Sequence, residues 1–160
     1  MTVAAPTSPK KKRHEKKKPK LRFLKCPDYK LIPQKLIDQV EAFDWSVEKF
    51  VMYQEALKDN GDNLLFCITD ARDKEPIIRG FLWAQVDQMK ASVIIHAYSV
   101  EPQYQDGNLV PFCKRFMEML IRKSDGRLKN IYWFTDRVKA YEKHGMKRSK
   151  YTLMCLNEET

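Results

Sequence analysis

The segment Ala140-Tyr141-Glu142-Lys143-His144-Gly145-Met146 reads as the end of a short helix, Val138 to His144, stopped by a glycine. Glycine enters the left-handed region without a Cβ penalty, so it ends helices readily. Just upstream, Asn130 to Thr135 is rich in aromatic and branched residues and predicts a strand. Ser124-Asp125-Gly126 before it is a turn signal. Leu109 to Lys123 puts Leu109, Phe112, Cys113, Phe116, Met119 and Leu120 on one helical face. Pro111 is tolerated only in a first turn, so that helix starts near Asn108, a natural cap. Beyond the glycine, Tyr151 to Leu156 is expected to close a sheet.

Further upstream the period changes to two. Leu64–Thr69, Ile77–Val86 and Ala91–Val100 read as strands joined by turns too short for a crossover, so they should form an antiparallel meander. Gly80 inside the second marks a bulge or a close backbone approach. The strand at Asn130 comes after a helical crossover and should lie parallel to Ala91–Val100. Trp83 could line an acceptor groove or pack in the core; the meander strand that carries it is apolar on both faces, which calls for helices on both sides. Two helical patterns precede the meander. Pro33–Phe43 aligns Leu36, Ile37, Val40 and Phe43, and a second helix, capped by Asp44 or Ser46, runs to about Lys58. Leu21–Leu24 is the first run able to join the sheet. The expected class is α+β, layered α/β/α, with a mixed, mostly antiparallel sheet and helices on both faces.

At 160 residues the chain suits one core, and 43% hydrophobic content predicts that most of it folds. The formal net charge is +9, and residues 10–25, with ten Lys or Arg and the single acid Glu15, account for all of it. Residues 1–20 therefore read as a disordered basic arm and 21–160 as one domain. The arm's cations are Lys10, Lys11, Lys12, Arg13, Lys16, Lys17, Lys18 and Lys20. They resemble a nuclear localisation signal and equally suit non-specific DNA or RNA, an anionic surface, or solubility alone. The chain has no eighteen-residue apolar run and no signal-peptide core, so an intracellular, cytoplasmic protein is expected, nuclear in a eukaryotic host. Cys26, Cys67, Cys113 and Cys155 form no CxxC pair and read as buried free thiols. With His14, His96 and His144 far apart, no metal site is expected.

The order of elements resembles the GCN5-related N-acetyltransferase superfamily over roughly residues 21 to 157. Ala140 to Met146 looks like that family's aromatic-Tyr-Glu-x-x-Gly-Phe helix. Ser99-Val100-Glu101-Pro102-Gln103-Tyr104 resembles the end of its fourth strand and the start of its acetyl-coenzyme A loop. The resemblance implies a gap between the fourth and fifth strands for the pantetheine arm, bonded by backbone groups near Val100. It also implies a pyrophosphate over a glycine loop and helix start, written Gln or Arg, two residues, Gly, one residue, Gly or Ala. Here Gln105 takes the first position, but Asn108 and Val110 stand where the small residues belong and Gly107 is one residue out of register. Leu109 opens the helix, Asp106 adds a negative charge, and Lys114 and Arg115 can compensate it. Thr135 belongs to a neighbourhood that also touches the cofactor in the family.

Acetyl transfer needs a base for the amine, polarisation of the thioester carbonyl and an acid for the leaving thiolate. The resemblance assigns the acid to Tyr141, which could alternatively only pack its helix on the sheet. Glu101 is a candidate base or a solvated strand-end acid. His96 is a candidate relay or a packed strand histidine; strand parity groups it with Ile94, Tyr98 and Val100. Two functions are compatible with these residues: an N-acetyltransferase acting on an amine of a protein or small molecule, or an inactive module of that fold whose arm holds nucleic acid.

Overall fold

The short polar turns and alternating apolar runs build a sheet that has five strands among the described residues. The computed structural model describes residues 19–41, 45–105, 109–133, 138–150, 154 and 156. The strands are β1 (Leu21–Lys25), β2 (Asn63–Asp70), β3 (Ile78–Asp87), β4 (Ser92–Val100) and β5 (Asn130–Trp133), and they lie side by side in that order. The helices are α1 (Gln34–Asp38), α2 (Val47–Ala56), α3 (Leu109–Lys123) and α4 (Val138–Glu142). The first three strand pairs are antiparallel, and the α3 crossover makes β4 and β5 parallel, as the sequence predicts. The strand expected over Tyr151–Leu156 lies mostly outside the described residues; Met154 and Leu156, which are described, are exposed and not in a strand. Most of the basic arm, residues 1–18, also lies outside them, as does Cys155.

Each face of the sheet carries its own core. On one side α3 lays Leu109, Cys113 and Met117 against Ile68, Leu82, Val93 and Ile95. Phe116 stacks on Phe23 of β1 at 4.5 Å, so α3 reaches across to the far strand. On the other side Leu36 and Ile37 of α1 and Phe50 of α2 cover Leu65, Cys67, Phe81 and Trp83. Cys26, Cys67 and Cys113 are buried free thiols as expected, and burial pushes the Cys113 thiol up to about 12.

Ser46 caps α2 by accepting from the Lys49 amide, as its position suggests. The first helix is shorter than the predicted Pro33–Phe43, because its end is taken by tertiary bonds. The Trp45 indole N–H donates to the Ile37 carbonyl at 3.1 Å, and Gln39 turns its side chain to β4, donating to Ser99 Oγ at 2.6 Å.

At the end of β2, Asp70 is 3% exposed and accepts from Arg72 Nη2 (2.6 Å), the Arg72 amide (3.0 Å) and the Tyr104 hydroxyl (2.8 Å). Arg72 holds its carboxyl well below the usual carboxylate range, against the upward push of burial, and Tyr104 lowers it further. A folded-state pKa below the unfolded one gives stability that is present above about pH 4 and lost as pH falls further. Asp70→Asn is expected to lose about 2 kcal/mol at pH 7, slightly less at pH 3 and clearly less at pH 2, where protonation of the native carboxylate begins to tell, read by urea unfolding. An equal loss at all three pH values would remove the ion from the explanation.

Candidate active site

The site begins at the last described pair of the two parallel strands. β5 pairs with β4 from Ser92↔Asn130 to Ile95↔Trp133, and β4 then continues from His96 to Val100 without a β5 partner among the described residues. The same point carries a β-bulge against β3. Trp83 pairs with Ala97 and Ala84 with Ile95, which leaves His96 as the extra residue. A bulge bends its strand and reverses the facing of the residues after it. Val93 and Ile95 face α3 before it, and Tyr98 and Val100 face α3 after it. His96 faces the other way, with its ring 4.5 Å from that of Trp83 on the α1–α2 side. The expectation that His96 shares a face with Tyr98 and Val100 is thus corrected, because strand parity does not carry through a bulge.

Three aromatic rings meet at the end of the described β4–β5 pairing. Trp133, the last residue of β5, packs edge-on to Tyr98 at 5.1 Å and tilted against Tyr141 at 4.8 Å. The hydroxyls of Tyr98 and Tyr141 lie 3.0 Å apart. Tyr141 is 7% exposed. Its position is set by the helix end just after it. The Tyr141 carbonyl accepts from the amides of His144 and Met146, and Gly145 turns the chain with φ of 81°. Lys114 Nζ of α3 donates to the His144 carbonyl at 2.7 Å and ties α4 to α3. The short helix thus brings Tyr141 against Trp133 and Tyr98, at the end of the described β4–β5 pairing.

On the opposite face, His96 Nε2 lies 2.8 Å from Gln85 Oε1. That oxygen can only accept, so Nε2 carries the proton and Nδ1 the lone pair. Burial lowers the imidazole below its ordinary value, so it is neutral at pH 7. His96 and the tyrosine pair therefore lie on opposite faces of the sheet, with His96 held against β3 by Gln85 and Trp83.

Glu101 has a different setting. It is 8% exposed, at 2.9 Å from Arg79 Nη1, 3.3 Å from Lys35 Nζ and 3.4 Å from Gln103 Nε2. Burial raises its pKa, but Arg79 and Lys35 outweigh that and hold the carboxylate below its ordinary value. Arg79 also grips Asp73 through Nε and Nη2, each at 3.0 Å. A carboxylate so paired is a weak proton acceptor and a firm anchor for the end of β4.

The loop residues divide. The Val100 carbonyl accepts from the side-chain amides of Gln39 and Gln105, the latter at 2.9 Å. Leu109 buries its side chain under α3, and Val110 is half-buried. Gly107, Asn108 and Thr135 lie outside the described residues. Lys20, the described cation of the predicted arm, is exposed. Sequence reasoning missed Tyr98 and Trp133 as partners of Tyr141, and Gln39 and Arg79 as clamps on the β4 end. The signal for Tyr98 was the bulge, which no local composition marks.

No family model matches the sequence, and no curated protein matches it. Solved structures match over nearly the whole chain. A possible acetyltransferase from Clostridium difficile 630 superposes with a TM-score of 0.62 at 12% identity, covering 89% of this chain and 99% of that one. Glucosamine-6-phosphate N-acetyltransferase from Arabidopsis thaliana gives 0.55 at 18%, covering 88% and 99%. AAC(6')-Iy in complex with a bisubstrate analogue, CoA-S-monomethyl-acetylneamine, gives 0.57 at 10%, covering 88% and 98%. The chain thus has the GCN5-related N-acetyltransferase fold that its tail resembles. No helix among the described residues is long and apolar enough to cross a membrane.

Proposed function

We propose that the chain is an N-acetyltransferase that moves acetyl from acetyl-coenzyme A to an amine of a protein or small molecule. The observation that supports it most is the Tyr141 hydroxyl, paired to Tyr98 and standing beside the β4–β5 gap. The residues around the gap suit the cofactor. The edge of β4 beyond Ile95, which has no β5 partner among the described residues, would offer backbone groups for the amides of a pantetheine arm. The N-terminus of the fifteen-residue α3 favours a diphosphate, with Lys114 and Arg115 one turn on. When bound, acetyl-coenzyme A supplies the activated thioester. The chain's own residues then manage protons. His96 Nδ1 accepts one from the amine, directly or through a water. The Tyr141 hydroxyl gives one to the leaving sulfur, and the Tyr98 hydroxyl, donating to the Tyr141 oxygen, stabilises the phenolate left behind. Glu101 holds the end of β4 in place for them.

One observation favours a second reading, an inactive module of this fold whose basic arm binds nucleic acid. The Val100 carbonyl, a natural partner for a pantetheine amide, is already bonded by Gln39 and Gln105. Calorimetry separates the two. Saturable acetyl-coenzyme A binding is expected, and Gln39→Ala should tighten it about fivefold by releasing one competing hydrogen bond. No heat from either protein at millimolar cofactor would exclude the enzyme.

A further inference from the structure

The chain after residue 25, neutral in total, is polarised across its sheet. Residues 26–62, which include α1 and α2, hold four Lys or Arg against eight Asp or Glu. Residues 109–150, which include α3 and α4, hold twelve against four. The sheet lies between these helices, since α3 covers one face and α1 and α2 the other. The excess positive charge of the folded part therefore sits on one side.

That side is continuous. α3 is about 22 Å long at 1.5 Å per residue, and Arg115, Arg122 and Lys123 are exposed along it. Arg127 and Lys129 extend it through the next turn, also exposed. The Lys114–His144 bond joins the end of α4, with exposed Lys143, to the start of α3. At the other margin the Phe23–Phe116 stack seats β1 against α3, and exposed Lys20 directly precedes β1. The acids on this side are few. Glu118 stands 3.9 Å from Lys114, and Glu142 stands 3.9 Å from Arg148.

We infer that the α3–α4 face is a nucleic-acid-binding surface that grips the phosphate backbone without reading sequence. The mixture of arginine and lysine suits phosphate oxygens, and regularly spaced anions reward an extended row of cations over a single pocket. A lipid surface fits less well. None of the exposed large apolar side chains among the described residues lies in α3, β5 or α4; the two that follow α4 in sequence are Met154 and Leu156, so these elements themselves have nothing to insert. The inference does not rest on acetyl transfer, and its readout is nucleic-acid binding alone, because Arg115 also stands near the proposed diphosphate position.

The test compares two full-length variants with the same change in net charge. One carries Arg115→Glu, Arg122→Glu and Lys123→Glu on α3. The other carries Lys30→Glu, Lys49→Glu and Lys58→Glu, three exposed lysines on the acidic half. Fluorescence anisotropy tracks binding to a labelled RNA strand and to a DNA duplex, each of about 20 nucleotides per strand, between 50 and 200 mM salt. The α3 variant is expected to bind at least about tenfold more weakly than the wild type at low salt and to lose about 3 from the salt slope. The second variant should stay within about twofold. Equal losses in both would mean that net charge or the arm alone carries binding, and would overturn the proposal. So would no loss in either, no binding by the wild type, or equal affinity for phosphatidylserine vesicles. If the glutamates unfold α3, as circular dichroism would show, glutamines at the same three positions replace them, with the same outcomes.

Discussion

Tyr141→Phe is expected to lower the acetylation rate by about a hundredfold or more and to leave acetyl-coenzyme A affinity within about twofold. The substitution keeps the ring that packs 4.8 Å from Trp133, so the helix and the mouth of the gap retain their shape. It removes only the hydroxyl that meets Tyr98 at 3.0 Å. A group that acts in the transition state shows this split, with turnover lost and binding kept. Tyr98→Phe should cost less, about tenfold in rate. It leaves the acid in place and takes away the hydrogen bond that stabilises its conjugate base. Free-thiol release at saturating cofactor measures both rates, and calorimetry measures both affinities. An unchanged rate in Tyr141→Phe would return Tyr141 to a packing role. Loss of binding along with rate would show that the hydroxyl holds the site together.

The elements of this fold were legible because they rest on local chemistry. Pro111 and Gly145 bracket helices by their own backbone limits, and the branched residues of β4 announce a strand. The site was less legible because it rests on contacts between distant residues. Tyr141 could be placed through its helix motif, but its partner Tyr98 lies 43 residues away and faces it only because of the bulge at His96. Glu101 looked like a solvated acid or a base at a strand exit. Its actual partners, Lys35 at 66 residues' distance and Arg79 at 22, leave no local trace. Likewise the first helix ended early because Trp45 took the Ile37 carbonyl, a bond no periodicity encodes.

Charge was legible as a total and misleading as one. Summed over everything after residue 25 it cancels, yet the acids cluster in the segment that contributes α1 and α2 and the bases in the segment that contributes α3 and α4. The arrangement also suits the proposed chemistry. A polyanionic cofactor would meet the basic helix start, and a cationic amine would approach past the acidic half, where His96 faces.

Gly80→Ala is expected to destabilise the chain by about 2 kcal/mol and to loosen the end of β4 with it. A Cβ on Gly80 would stand 2.5 Å from the Ser99 carbonyl oxygen, 2.6 Å from Val100 Cγ1 and 3.2 Å from Val100 Cα. The Val100 methyl can rotate away, but the carbonyl oxygen and the Cα belong to the backbone of the paired strand, so β3 and β4 must part. Any entropic gain from restricting the unfolded chain is about 0.4–1 kcal/mol and does not offset a backbone clash. The separation falls at a sensitive place. Gly80 pairs with Val100, and its neighbour Arg79 reaches Glu101 just beyond, so one methyl group pushes on both anchors of the strand end. Tyr98, two residues back, sits against Trp133 and Tyr141 and is held from the other side. The loss should therefore appear mainly in KM for acetyl-coenzyme A, with kcat changed far less. Urea unfolding gives the stability and steady-state kinetics give the split. A variant within about 0.5 kcal/mol of the wild type would show that the two strands can part there without penalty. A fall in kcat alone would mean that the end of β4 positions the tyrosine pair and contributes little to holding the cofactor.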